Sequence, residues 1–120
     1  MMILDGFTSN QLYEMSNFGH RTTGLPSNID IWVRTETSKL QHSNYRIKVE
    51  KNKEYAAIFS VEEYPKMIIQ SHKNKLTGDE LNEIVDFIAT HFDLIIDHID
   101  GKIDSGDLAY EIRNARGVES

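Results

Sequence analysis

Five histidines, scattered carboxylates and a few strand-borne cations are the residues of this chain whose chemistry goes beyond packing. His20, His42, His72, His91 and His98 form no HxH or HExxH pair. The nearest two, His91 and His98, are seven residues apart. On one helix that is ~10 Å of rise, too far to share a metal. Asp100-Gly101-Lys102-Ile103-Asp104 looks like the middle of a calcium-binding loop. With Gly101 at the turn position, however, Ile96 and His98 fall where carboxylates are needed, and Asp107 stands where a bidentate Glu belongs. The stretch reads better as the end of one helix followed by the cap of the next. The chain has no cysteine, and none of the patterns GxSxG, GxGxxG or GxxxxGK occurs. The sequence therefore nominates no metal, no cofactor and no catalytic residue. A non-enzymatic role is favoured over a small hydrolase or nuclease assembled from scattered His and acidic groups.

The basic residues hold more information. Asn28 to Thr35 and Asn44 to Glu50 alternate as strands do, with Ile29, Ile31, Val33, Tyr45, Ile47 and Val49 on one side. Trp32, Arg34, Arg46 and Lys48 then share the other side if the two strands pair, and His42 lies in the connection between them. Cations beside an exposed aromatic can bind a phosphate and stack a base. The competing reading makes Trp32 core and leaves the cations to solvate an open sheet face, and it weighs more, because the helices of so small a domain cover only one face. The net charge of −6 also argues against general duplex binding. Any nucleic-acid role is therefore local, to a nucleotide or a single strand. Glu83, Asp86, Asp93, Asp97 and Asp100 offer an acidic helix face to a basic partner, although a charged helix exterior is ordinary.

The element that must position these groups is Leu76 to Ile103. Thr77 and Glu80 form a capping box, and Leu81, Ile84, Val85, Ile88, Phe92, Ile95, Ile96 and Ile99 recur at helical spacing. A continuous helix to Asp100 would run ~35 Å, so a break is expected near His91 to Asp93. Gly101 suits the C′ position, and Asp104 or Ser105 caps a last helix with Leu108, Ala109, Ile112 and Tyr110 inward. Near the start, Thr8 and Gln11 form a second capping box that predicts a short helix to about Asn17, followed by a loop over 19–27. Lys51 to Glu54 reads as a hairpin turn into Tyr55–Val61, an inner strand apolar on both faces, and Lys66 to Gln70 reads as an edge strand. Residues 114–120 read as a frayed tail. The expectation is one α+β domain over 1–120, a three- or four-stranded antiparallel meander with a long amphipathic helix and shorter terminal helices on one face.

Charge is divided along this order. Residues 20–75 carry ten Lys/Arg against six Asp/Glu (+4), residues 76–120 three against eleven (−8), and residues 1–19 add −2. Such a dipole bears on partner choice and self-association. The apolar runs are short and the start MMILDG lacks a basic leader, so neither a membrane span nor a secretory signal is expected. With no cysteine, a cytoplasmic location is the expectation.

Asn17-Phe18-Gly19, Thr23-Gly24-Leu25-Pro26, Ile31-Trp32-Val33 and HSNYRIKV (His42 through Val49), with Phe87-Ile88, Leu94 and Gly101-Lys102-Ile103, are similar to motifs of a group of small uncharacterised bacterial and phage proteins. The resemblance spans about residues 17–108 and implies a cytoplasmic accessory protein of a bacterium or mobile element. It brings no activity and no catalytic residue. The expected partner is another protein or a second copy of the chain, with nucleotide or nucleic acid as the alternative.

Overall fold

The computed structural model describes residues 15–34 and 45–117. Five antiparallel strands follow one another across a single meander: β1 (Met15–Phe18), β2 (Ile29–Arg34), β3 (Arg46–Lys51), β4 (Glu54–Ser60) and β5 (Met67–Gln70). A one-turn helix α1 (His20–Thr23) sits between β1 and β2, and α2 (Gly78–Ile99) and α3 (Ser105–Ala115) follow the sheet. The α+β class and the antiparallel meander are as expected, with one strand more.

That strand corrects the sequence reading. Met15 to Asn17, assigned to a helix, belong to β1, which pairs with β2 from Met15↔Arg34 to Phe18↔Ile31. Ladder bonds to β2 and burial of Phe18 in the core override the local helix signal. The Thr8–Gln11 capping box lies outside the described residues. The expected loop over 19–27 contains α1, closed by Gly24 at φ 78°, a left-handed conformation that glycine adopts at little cost.

Alternation in β2 and β3 does what its period requires. Ile29, Ile31, Val33, Ile47 and Val49 point to one side together with Ala57 and Phe59 of β4. Ile84, Ile88, Ile95 and Ile99 of α2, with Leu108 and Ile112 of α3, complete that core. The β3–β4 turn is Asn52-Lys53, both left-handed at φ 58° and 66°, the two-residue hairpin geometry that suits strand twist. The side-chain amide of Asn74 donates to the carbonyls of Lys51, Glu54 and Tyr55, tying the approach to α2 onto this hairpin.

The helix α2 is unbroken, contrary to the expected interruption at His91–Asp93. Its buried residues Ile84, Ile88, His91, Ile95, His98 and Ile99 continue one stripe through that region, and packing along the stripe outweighs weak local propensity there. Both expected starts are capping boxes, Thr77 with Glu80 and Asp104 with Asp107. Gly101 follows the C-cap at φ 82°. Leu108 and Ile112 are buried and Ala109 packs against the core as expected, whereas Tyr110, expected inward, is exposed. That helix also continues through residue 115, into the expected tail.

Candidate functional site

Three surfaces position polar or apolar groups for contact. The first is the open sheet face. Cross-strand pairing places Asn17, Trp32, Lys48, Ile58 and Ile69 in one row, one residue per strand. Arg34, opposite Met15, and Arg46, opposite Ser60, lie to one side of this row, with Asp30 opposite Glu50 on the other. The expected sharing of one face by Trp32, Arg34, Arg46 and Lys48 is thus realised. Only His42 of the expected set lies outside the described residues.

The chemistry of the face is more mixed than the cations alone suggested. The Lys48 ammonium stands over the Trp32 ring, 5.3 Å from its centroid, and 3.6 Å from the Glu50 carboxylate. Asp30 is almost buried and accepts from Lys53 at 3.1 Å. Trp32 is half-buried, and its indole N–H has no acceptor among the described residues. Arg46 donates to the Tyr45 carbonyl at 2.8 Å. A base stacking on Trp32 must therefore displace Lys48, and phosphate must approach past two carboxylates.

The second surface is the outer strand β5. Ile68 and Ile69 are 45% and 57% exposed, and Tyr64 just before the strand is 78% exposed. Single exposed apolar side chains are common, but two successive isoleucines exposed on an outer strand are not what a free surface favours.

The third is an open groove of about 260 Å³ lined by Thr23, Gly24, Leu25, Glu83, Asp86, Phe87, Thr90 and His91. Its far wall is α2, and its near wall is the turn that Gly24 makes possible. Arg116, the C-cap of α3, locks that turn, its guanidinium donating to the carbonyls of Arg21 at 3.1 Å and Thr22 at 2.9 Å. His91 is only 6% exposed and packs on Phe87 with ring centroids 5.0 Å apart. Burial depresses its basicity below the ordinary imidazole value, and the positive charge of Arg116 adds to this against the opposing pull of Asp86. The unfolded chain therefore takes up a proton at His91 before the folded protein does. The stability due to this site is complete above about pH 6.5, the ordinary imidazole value, and is lost as pH falls towards the lower folded value. Urea midpoints of the wild type are expected to drop more steeply below pH 6.5 than those of His91→Leu. Equal slopes would show that His91 is not desolvated.

The other buried histidine is structural. His98 donates from Nδ1 to the Ile103 carbonyl at 3.0 Å, closing the turn after α2, and its ring meets Phe18 edge-on. Tyr45 donates to the Asp100 carboxylate at the same helix end.

Sequence reading missed the groove. A signal for part of it was available, since His91 falls in the same three- and four-residue stripe as Ile84, Ile88 and Ile95 and so had to face inward. What it would meet there, the Thr23–Leu25 turn, is remote in sequence. No protein family, curated protein or solved structure matches the chain. No helix among the described residues is long and apolar enough to cross a membrane.

Proposed function

We propose that this chain is a small, non-enzymatic interaction module of bacterial or mobile-element origin, acting in the cytoplasm, that engages a protein along the outer edge of β5. The observation that carries this reading is the joint exposure of Ile68 and Ile69 on an outer strand. An edge strand presents unpaired backbone donors and acceptors, and native proteins usually protect it with charge, proline or a bulge. The strand Met-Ile-Ile-Gln has no charge or proline of its own, Pro65 precedes it, and its pairing with β4 shifts register at Ile68, between Ile58↔Ile69 and Phe59↔Met67. Strand addition at such an edge supplies main-chain hydrogen bonds, while alternate side chains supply specificity. The resemblance to bacterial and phage accessory proteins supports the same class of role.

A second copy of the chain is the occupant favoured by self-complementarity. An antiparallel pairing centred on Ile68 sets this residue against its counterpart and Lys66 opposite Gln70 of the other copy, so no like charges meet. Phosphate and base recognition on the Trp32 face is the weaker alternative, for the reasons of charge and ring coverage given above.

The test is native mass spectrometry and light scattering on the wild type and on Ile68→Lys. A concentration-dependent dimer in the wild type, weakened ~30-fold or more by the substitution, is the expected result, since a central contact is worth ~2 kcal/mol. A wild type that stays monomeric at every concentration would remove the second copy as occupant. A dimer indifferent to Ile68→Lys would remove β5 as its seat.

A further inference from the structure

We infer that the sheet face turned away from the helices is the docking surface of the chain's own segment 1–14, which lies outside the described residues. The row across that face, Asn17, Trp32, Lys48, Ile58 and Ile69, is exposed at its two ends and half-buried at its three central members. Trp32 carries the sharper sign. Its indole N–H is buried and has no acceptor among the described residues. Buried donors in native proteins are paired as a rule, so this one calls for an acceptor from outside those residues.

The segment fits the face in composition, charge and reach. It begins Met-Met-Ile-Leu and continues with Phe7, Leu12 and Tyr13, so half of it is apolar. Phe7 and Leu12 flank the Thr8–Gln11 capping box where a hydrophobic staple draws such a pair together, giving one apolar cluster to lay over Trp32 and Ile58. Its charged side chains are Asp5 and Glu14, with no Lys or Arg. The face has the opposite balance. Arg34, Arg46 and Lys48 stand there with Lys53, which reaches Asp30, against the carboxylates of Asp30 and Glu50. Glu14 leads straight into Met15, which pairs with Arg34, so the segment enters on the cationic side of the row. From β1 to β4 the distance is ~14 Å at the usual strand spacing. Fourteen residues span ~21 Å even when wholly helical, so Ile58 is within reach. A segment tethered at the edge of its own docking surface has an effective concentration on the order of mM, and a modest apolar contact is enough to hold it. Such a cover keeps other ligands off Trp32 and leaves the β5 edge for a partner.

The chain has one tryptophan, so its fluorescence reads this face alone. In the full chain Trp32 is expected to resist acrylamide quenching. Phe7→Lys/Leu12→Lys is expected to lower the docked-to-open ratio ~30-fold for each anchor lost, raising the quenching and moving the emission to the red, with the far-UV circular dichroism retained. A nitroxide at Ser9→Cys, the sole thiol of an otherwise cysteine-free chain, gives a second reading that does not depend on how that variant folds. It is expected to broaden the Trp32 indole and the Lys48 and Ile58 amides and to spare Leu108 and Ile112. Quenching of the full chain at the level of free tryptophan, or broadening spread evenly over both faces, would overturn the inference. Broadening of a ¹⁵N-labelled chain by a separate nitroxide-labelled chain would overturn it as well, assigning the cover to a second copy. Neither measurement reads the β5 edge, so failure here leaves the edge-strand reading standing, and the reverse also holds.

Discussion

Phe59→Ala is expected to cost about 3–5 kcal/mol, the largest single-residue loss among the changes considered. Phe59 is fully buried in β4, between Ile47 of β3 and Met67 of β5, and faces the helices. Truncation removes the transfer free energy of a whole ring and leaves a void that a central strand, pinned on both sides by ladder bonds, cannot collapse to fill. A domain of this length holds ~6–18 kcal/mol in all, so the variant would retain only a modest margin at best. Urea denaturation followed by far-UV circular dichroism is the measurement. The midpoint is expected to fall with the slope unchanged, which distinguishes lost stability from a changed unfolded state. Phe59→Leu, which keeps most of the volume, is expected to lose less than half as much. A loss below ~1 kcal/mol for the alanine variant would mean that β4 does not sit at the centre of the core.

Gly24→Val is expected to cost about 2–3 kcal/mol through a different mechanism. At φ 78° a β-branched residue is strained whatever space surrounds it. A Cβ at this position would also lie 2.6 Å from Nε of Arg116. The guanidinium can swing aside, but only by giving up its bonds to the Arg21 and Thr22 carbonyls, which attach α1 to α3. The expected result is a melting temperature lowered by roughly 3–5 °C per kcal/mol. Arg116→Ala separates the two contributions, because it removes the latch and leaves the glycine backbone unstrained. If Gly24→Val melted like the wild type, the left-handed turn would not be part of the fold.

The parts of the fold legible in the sequence are those whose cause is local. Thr77 with Glu80 caps α2 because a hydroxyl and a carboxylate three residues apart satisfy two orphan amides, whatever lies beyond. Alternation in 29–34 and 46–50 fixed which side chains share a face, so Trp32 and Lys48 were placed together before their pairing was known. The polar Lys51–Glu54 stretch between two alternating runs carries the tight hairpin. The errors are equally instructive. Met15–Phe18 became a strand because β2 offered a ladder and the core a place for Phe18, neither of which local propensity records. α2 ran on through His91–Asp93 because its buried stripe is continuous.

By itself, then, the sequence determined the α+β class, the faces of two strands, the caps of two helices and the division of charge, since each depends on residues within about a turn or a strand of one another. Only the tertiary structure decided that Ile68 and Ile69 end on an outer edge, that Lys48 covers Trp32, and that the Gly24 turn, held by Arg116, borders an open groove with His91. Those outcomes depend on which elements become neighbours. Neighbours are chosen by burial of the whole core, and no short window of residues contains that information.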